Sequence, residues 1–103
     1  MTEINIAMMR KLIDSDKPIQ VIEVLGEKDY RSGHVPGAIN VPLGEAFDEA
    51  IQRAVTEKHT PVIDMACQAS TKAAERMDAL GYVRVYDYKA GKRGWQDAGF
   101  PVE

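Results

Sequence analysis

Cys67 is the one residue of this chain whose side chain is an obvious nucleophile. The sequence of 103 residues contains a single cysteine, which excludes an internal disulfide and any multi-cysteine metal site. The thiolate is the reactive form of cysteine, and a lone thiol is typical of the reducing cytoplasm. The alternative interpretation is structural, because free cysteines are among the most buried residues. Which of the two applies depends on where the fold places this thiol.

A histidine and two carboxylates are the other candidates for chemistry. His34 lies in a Gly-His-Val-Pro-Gly turn, where the imidazole is expected to hold the backbone by hydrogen bonds, and a lone histidine is poor evidence for a metal. Glu23 and Asp64 fall near the ends of apolar segments. We expect both carboxylates to be partly solvated or hydrogen-bonded, because an unpaired buried charge costs several kcal/mol. A charge on Asp64 beside the Cys67 thiol would raise the pKa of that thiol and oppose catalysis.

The periodicity of the apolar residues predicts the elements that position these side chains. Helical spacing occurs through Ile6, Met9, Leu12 and Ile13, and again over residues 27–32, 47–55, 70–80 and 95–98. Short β-branched or alternating segments predict strands over residues 18–25, 38–41, 61–66 and 82–86. Short buried strands that alternate with helices indicate an α/β fold, in which a parallel sheet carries helices on both faces.

Length and composition narrow the classes of function. A chain of 103 residues with 45% hydrophobic residues is expected to form a single domain over residues 1–103. The net charge is −3 and no arginine-rich stripe is present, so nucleic acid is not an expected partner. No apolar run approaches the ~20 residues that span a bilayer, and the first residues lack the pattern of a secretory signal. We therefore expect a cytoplasmic protein without membrane contact.

The predicted elements place Cys67 where open α/β sheets bind their ligands, beyond the carboxyl ends of the strands. Cys67 directly follows the strand predicted over residues 61–66, and Ser70 is predicted to cap the next helix. Unpaired backbone N–H groups and the positive end of a helix dipole both favour a thiolate at such a position. Position and residue type together favour a nucleophilic role for Cys67.

Two blocks of the sequence resemble the rhodanese family. Residues 29–42, D-Y-R-S-G-H-V-P-G-A-I-N-V-P, are similar to the family signature E-Y-x-x-G-H-I-P-G-A-I-N-I-P. Residues 81–102 are similar to the family's ending, G-F-x-x-V-x-x-L-x-G-G-x-x-x-W-x-x-A-G-x-P-V. The resemblance implies a three-layer α/β/α sandwich around a small, mostly parallel sheet, and a sulfurtransferase that holds sulfane sulfur as a persulfide on Cys67. The implied partners are a small sulfur donor such as thiosulfate, a small acceptor, or the thiol of a partner protein. No metal and no cofactor is required, because the covalent step takes place on the cysteine itself.

The segment after Cys67 departs from the family pattern C-x-x-G-x-R-S-x-x-A-A, because it is about two residues shorter before the paired alanines. We favour an alignment that keeps Cys67 at the strand end and shortens the loop. In the alternative, residues 67–72 form a full six-residue loop and the helix starts at about Ala73. The predicted substrate-binding residues are Gln68, Ala69, Ser70, Thr71 and Lys72. Backbone N–H groups of the first four would stabilise the persulfide anion, and the Lys72 ammonium group would attract an anionic donor.

Two further departures concern single positions. The family's Asp-Val-Arg is Glu23-Val24-Leu25 here, and its Gly-Gly is Ala90-Gly91, a mild change unless position 90 needs a positive φ. The short loop and the missing arginine also favour an alternative function, a rhodanese-like module that binds a partner protein or an anion with little or no catalysis.

Overall fold

The chain folds as a parallel β-sheet covered by helices on both faces. A computed structural model describes residues 1–65, the backbone of Ser70, and residues 71–103. In chain order, the strands are β1 (Thr2–Glu3), β2 (Gln20–Glu23), β3 (Ile39–Asn40), β4 (Val62–Met65) and β5 (Val85–Tyr88). The helices are α1 (Ile6–Ile13), α2 (Glu27–Arg31), α3 (Phe47–Ala54), α4 (Ser70–Ala79) and α5 (Gly91–Asp97). The strand order is β1-β5-β4-β2-β3 with every pair parallel, which confirms the predicted fold class.

The alternation of side chains along the strands divides the core into two layers. One layer packs against α3 and α4 and contains Ile22, Val62, Val85, Phe47, Ile51, Ala73, Ala74 and Met77. The other packs against α1 and α5 and contains Val21, Ile63, Met65, Tyr88, Met9 and Trp95. Strands buried on both faces have mainly apolar sequences without strict alternation, and β2 and β4 fit this pattern except for Gln20, Glu23 and Asp64. The result is the three-layer α/β/α sandwich that the resemblance implies.

Strand β5 begins three residues later than predicted. Tyr82 is buried, but its hydroxyl donates to the carbonyl oxygens of Ile51 and Val55 at the end of α3. This aromatic residue therefore anchors a helix and does not start the strand. The strand instead continues to Tyr88, so that it includes Asp87, which the prediction leaves outside.

The connection from β5 to α5 explains why alanine is tolerated at position 90. Ala90 has a φ of −64°, which any residue adopts, whereas Gly91 has a φ of +62°. The left-handed region favours glycine, so only the second residue of the family's Gly-Gly is needed for this turn.

Candidate functional site

The carboxyl ends of the central strands form the edge of the sheet at which Cys67 is predicted to act. The strand order places β4 between β5 and β2. The chain leaves β4 through α4 towards β5, whereas it leaves β2 through α2 towards β3 on the other side. The topology therefore reverses between β4 and β2, and such a switch point is where open α/β sheets bind ligands. Cys67 belongs to the segment that connects β4 to α4.

Of the predicted site residues, Thr71 and Lys72 lie within the described part of the chain, on the first turn of α4. Cys67, Gln68 and Ala69, and the side chain of Ser70, lie outside the described residues. The Thr71 hydroxyl donates to Oδ2 of Asp87 over 3.1 Å, so this side chain is turned towards the sheet. The Lys72 side chain is exposed.

The start of α4 distinguishes the two alignments of the segment after β4. The helix begins at Ser70, so the alternative in which it starts at about Ala73 is wrong. Ser70 is the first residue of the helix, not the residue before it as the predicted cap requires. Because β4 ends at Met65, four residues, 66–69, connect the strand to the helix.

Three carboxylates near this edge are buried, which corrects the expectation that Glu23 and Asp64 are partly solvated or hydrogen-bonded, because Oε2 of Glu23 and both side-chain oxygens of Asp64 also lack a hydrogen-bond partner among the described residues. Glu23 is 5% exposed, and Asp64 and Asp87 are fully buried. Burial raises the pKa of Glu23 to about 7, although Lys92 and His34 act in the opposite direction. Burial also raises the pKa of Asp64 to about 10, and the neighbouring side chain of Asp87 adds to the effect. At neutral pH Asp64 is therefore an uncharged carboxyl group, which would not oppose a nearby thiolate.

Asp87 is a site residue that sequence reasoning misses. It is paired in register with Asp64 across β4 and β5, so both side chains point to the same face of the sheet. Asp87 lies two residues after the buried Val85, and residues two apart on a strand face the same side of the sheet. This relationship follows from the sequence only if the predicted strand is extended to Tyr88.

The end of β2 is fixed by Asn40 on the neighbouring strand. The Asn40 side-chain amide donates to the carbonyl oxygens of Glu23 (3.1 Å) and Leu25 (2.8 Å). Leu25 is half-buried and packs against the layer under α3 and α4. The position where the family often has arginine is therefore apolar, and it contributes no positive charge to this edge.

His34 has the contacts of a residue that holds the backbone. Its Nδ1 lies 3.0 Å from the carbonyl oxygen of Tyr30, and its backbone N–H and carbonyl both pair with Glu103, over 3.0 and 2.8 Å. Oε1 of Glu103 also accepts from the N–H of Gly37, which has a φ of +83°. These bonds join the turn at residues 33–37 to the end of the chain and match the structural role predicted for His34.

A cavity of about 480 Å³ lies at the opposite end of the sheet, between α1 and the amino ends of β2, β4 and β5. Its lining includes the apolar side chains of Leu12 and Ile19 together with the charged Lys11 and Arg84. The cavity is separated from the Cys67 segment by the length of the strands, so it is not part of the predicted sulfur site.

Two classes of feature are absent from the described residues. None of the helices there combines the length and the apolar character of a membrane span. The same residues contain no group of three or more His, Cys, Asp or Glu side chains arranged to hold a metal ion.

Comparisons with known proteins agree with this architecture. The family model of the rhodanese-like domain matches residues 6–98. The putative sulfur carrier protein YrkF of Bacillus subtilis is 27% identical over 93 residues, which cover 90% of this chain and 50% of that protein. Thiosulfate sulfurtransferase 18 of Arabidopsis thaliana is 25% identical over 112 residues, which cover 96% of this chain and 81% of that protein. The crystal structure of the Alr3790 protein from Anabaena sp. matches 97% of this chain and 90% of its own, with a TM-score of 0.85 at 19% identity. This chain thus spans only half the length of YrkF.

Proposed function

Because the chain belongs to the rhodanese-like domain family, we propose that it is a sulfurtransferase that holds sulfane sulfur as a persulfide on Cys67. The observation that carries the proposal is the position of the only cysteine, in the connection between β4 and α4 at the switch point of the sheet. Two relatives, named as a putative sulfur carrier and a thiosulfate sulfurtransferase, support sulfur transfer as the type of chemistry.

The proposed reaction has two steps that balance in atoms and charge. The Cys67 thiolate attacks the outer sulfur of thiosulfate, the S–S bond of the donor breaks, and sulfite leaves with the electron pair. Cys67 then carries a persulfide anion. A nucleophilic acceptor, such as cyanide or a thiolate, attacks the outer sulfur of this persulfide, and the Cys67 thiolate is released. A small persulfide donor enters the same cycle and leaves as a thiolate.

The groups that would stabilise the persulfide come from the start of α4 and the residues before it. Backbone N–H groups of Gln68, Ala69, Ser70 and Thr71 would donate to the outer sulfur, since the first N–H groups of a helix have no partner within the helix. The exposed ammonium group of Lys72 would attract an anionic donor. The uncharged state of Asp64 at neutral pH supports the proposal, because it removes a negative charge three residues before Cys67.

Mass spectrometry of the intact protein tests the proposal directly. After exposure to thiosulfate or to a small persulfide, we expect the chain to gain the mass of one sulfur atom and to lose it on addition of cyanide. The matched control is Cys67→Ser, which is close to isosteric and should gain no mass while its circular dichroism spectrum stays unchanged. Sulfur transfer by purified Cys67→Ser would disprove the persulfide mechanism.

A second candidate function, a rhodanese-like module that binds a partner protein or an anion with little catalysis, is favoured by the short connection before α4. With four residues between β4 and α4, fewer N–H groups can converge on the outer sulfur than in a full-length loop. Loss of one such donor typically costs about 100–1000-fold in rate. A chain that takes up no sulfur from either donor would support this second function. Uptake from the small persulfide with slow thiosulfate turnover would support the sulfurtransferase with a shortened loop.

A further inference from the structure

The two aspartates that face one another across β4 and β5 are unusual among the polar groups of the core. Asp64 and Asp87 are both fully buried and paired in register. Neither oxygen of Asp64 has a hydrogen-bond donor among the described residues, and neither has Oδ1 of Asp87. The rest of this layer is apolar and includes Ile22, Val62, Val85, Ala73 and Ala74.

Two ionised carboxylates cannot satisfy one another, because each only accepts hydrogen bonds. Side by side in an apolar layer, the two charges would repel, and both oxygens of Asp64 and Oδ1 of Asp87 would lack a donor among the described residues. A single proton resolves both problems, since a carboxyl group on one strand can then donate to the carboxylate on the other. Burial and the neighbouring side chain of Asp87 both raise the pKa of Asp64, which favours a proton on that carboxyl group.

The carboxylate of Asp87 also makes a hydrogen bond to the first turn of α4. Its Oδ2 accepts from the Thr71 hydroxyl over 3.1 Å, and Thr71 lies on the first turn of the helix, next to the connection that contains Cys67. A proton shared between the two aspartates thus lies one hydrogen bond away from the backbone N–H groups expected to surround the sulfur.

We propose that Asp64 and Asp87 form a carboxyl–carboxylate pair that holds one proton and, through Thr71, positions the first turn of α4 for sulfur transfer. This role in positioning rests on the proposed function, whereas the shared proton does not. Asp64 and Asp87 are positioning residues, because the chain of contacts reaches the reacting sulfur only through Thr71.

Among the described residues, the charged side chains of α4 near Asp64 and Asp87 are either exposed or paired with another group. On α4, Lys72 and Glu75 are exposed. Arg76 of the same helix is engaged with Asp48 of α3 over 2.7 Å. From the adjacent strand β2, the residue in register with Asp64 is the apolar Ile22. Because burial raises the pKa of Asp64 to about 10, this carboxyl group loses its proton only in alkaline solution.

Infrared spectroscopy tests for the proton without any measurement of activity. At about pH 8.5, where surface carboxylates and Glu23 are ionised, we expect the wild-type protein to show the carbonyl stretch of one protonated carboxyl group. Asp64→Asn should remove this band and still fold, because its amide can donate to Asp87 as the carboxyl group does. Glu75→Gln, on the exposed face of α4, is the matched control and should leave the band in place. Absence of the band from the wild type, or its persistence in Asp64→Asn, would overturn the proposal.

Thr71 variants test whether the pair positions α4. Thr71→Val removes the hydroxyl at constant shape, and we expect amide hydrogen exchange to become about 10-fold faster in the first turn of α4 but not in α3. The same variant should lower kcat for sulfur transfer by roughly 10-fold with little change in KM, and Thr71→Ser should restore both values. Thr60→Val, at the opposite end of the sheet, is the control. Unchanged exchange and kcat in Thr71→Val would disprove the positioning role.

Measuring sulfur uptake together with the infrared band and hydrogen exchange distinguishes a failure of this inference from a failure of the proposed function. If Cys67 of the wild type takes up no sulfur although the infrared band and the exchange pattern are as expected, the sulfurtransferase proposal fails and the carboxyl pair stands. If Cys67 takes up sulfur at the same rate in the wild type and in Thr71→Val, the proposed function stands and the positioning role fails.

Discussion

The imidazole ring of His34 lies flat on the phenol ring of Tyr30, with ring centroids 3.8 Å apart and 7° between the ring planes. The Tyr30 hydroxyl in turn donates to the carbonyl oxygen of Ala38 over 2.6 Å. Tyr30 therefore joins α2 to the turn that His34 occupies and to the residue before β3. This arrangement gives a structural reason for the Tyr and His positions of the signature block at residues 29–42.

The stacked pair predicts that His34→Ala lowers stability more than activity. The variant loses the ring contact and one hydrogen bond, together about 1–2 kcal/mol, which corresponds to roughly 5–15 °C in Tm for a chain of this size. Thermal unfolding followed by circular dichroism measures the effect. His59→Ala replaces the other histidine, which is exposed, and should leave Tm nearly unchanged. An unchanged Tm with lost sulfur transfer in His34→Ala would instead make His34 catalytic.

The buried Glu23 predicts that part of the stability is lost between acidic and neutral pH. Burial raises its pKa from 4.5 to about 7, so the folded chain keeps a proton that the unfolded chain releases at lower pH. Stability therefore falls as the pH rises from about 4.5 to about 7. Glu23→Gln removes the part of the pH dependence that Glu23 contributes, since the amide does not titrate, whereas the part from Asp64 is the same in both proteins.

Urea unfolding at about pH 5 and about pH 8 measures the dependence on Glu23. We expect the wild type to lose roughly 2–3 kcal/mol more than Glu23→Gln over this interval. Glu45→Gln, at an exposed position, should behave like the wild type. Equal losses in the wild type and in Glu23→Gln would show that this carboxyl group is ionised in both states.

The close packing at Gly94 predicts that alanine destabilises the chain at this helical position. A Cβ there would lie 2.5 Å from Cβ of Ala90 and 2.8 Å from the hydroxyl oxygen of Tyr88. Overpacking of this kind costs about 1–3 kcal/mol, which outweighs the gain of about 1 kcal/mol that Gly→Ala gives in an open helix. Urea unfolding checks the result. The control is Gly44→Ala, where an added Cβ meets nothing within 4 Å. Gly94→Ala with wild-type stability would show that Tyr88 moves aside without cost.

The exposed Lys72 predicts a difference between anionic and neutral sulfur donors. Lys72→Ala should lower kcat/KM for thiosulfate by about 2–5-fold and leave that for a neutral sulfane-sulfur donor unchanged, because an exposed charge acts through weak, screened attraction. The effect should shrink as the salt concentration rises. Lys11→Ala removes the same charge at the opposite end of the sheet and serves as the control. An equal loss for both donors would show that Lys72 acts on the cysteine or on the fold, and not on the charge of the donor.

Local sequence patterns determined the order of the main helices and strands, because periodicity and turn residues act over a few neighbouring positions. Residues 47–55 and 61–66 show this, since the structure has a helix at Phe47–Ala54 and a strand at Val62–Met65. The family resemblance also came from contiguous blocks, and it placed Cys67 after a strand before any geometry was known.

Only the tertiary structure decided which groups meet. The strand order brings Asp64 and Asp87 into register from positions 23 residues apart, and no local pattern specifies that pairing. The two-residue strand β1 escapes prediction because its strand conformation depends on pairing with β5, which lies at the other end of the chain. At neutral pH Asp64 is uncharged and Glu23 is near its pKa, because helices from distant segments cover both side chains. Burial is a property of the whole packed chain, and so the protonation states near the proposed site follow from the fold and not from the residues alone.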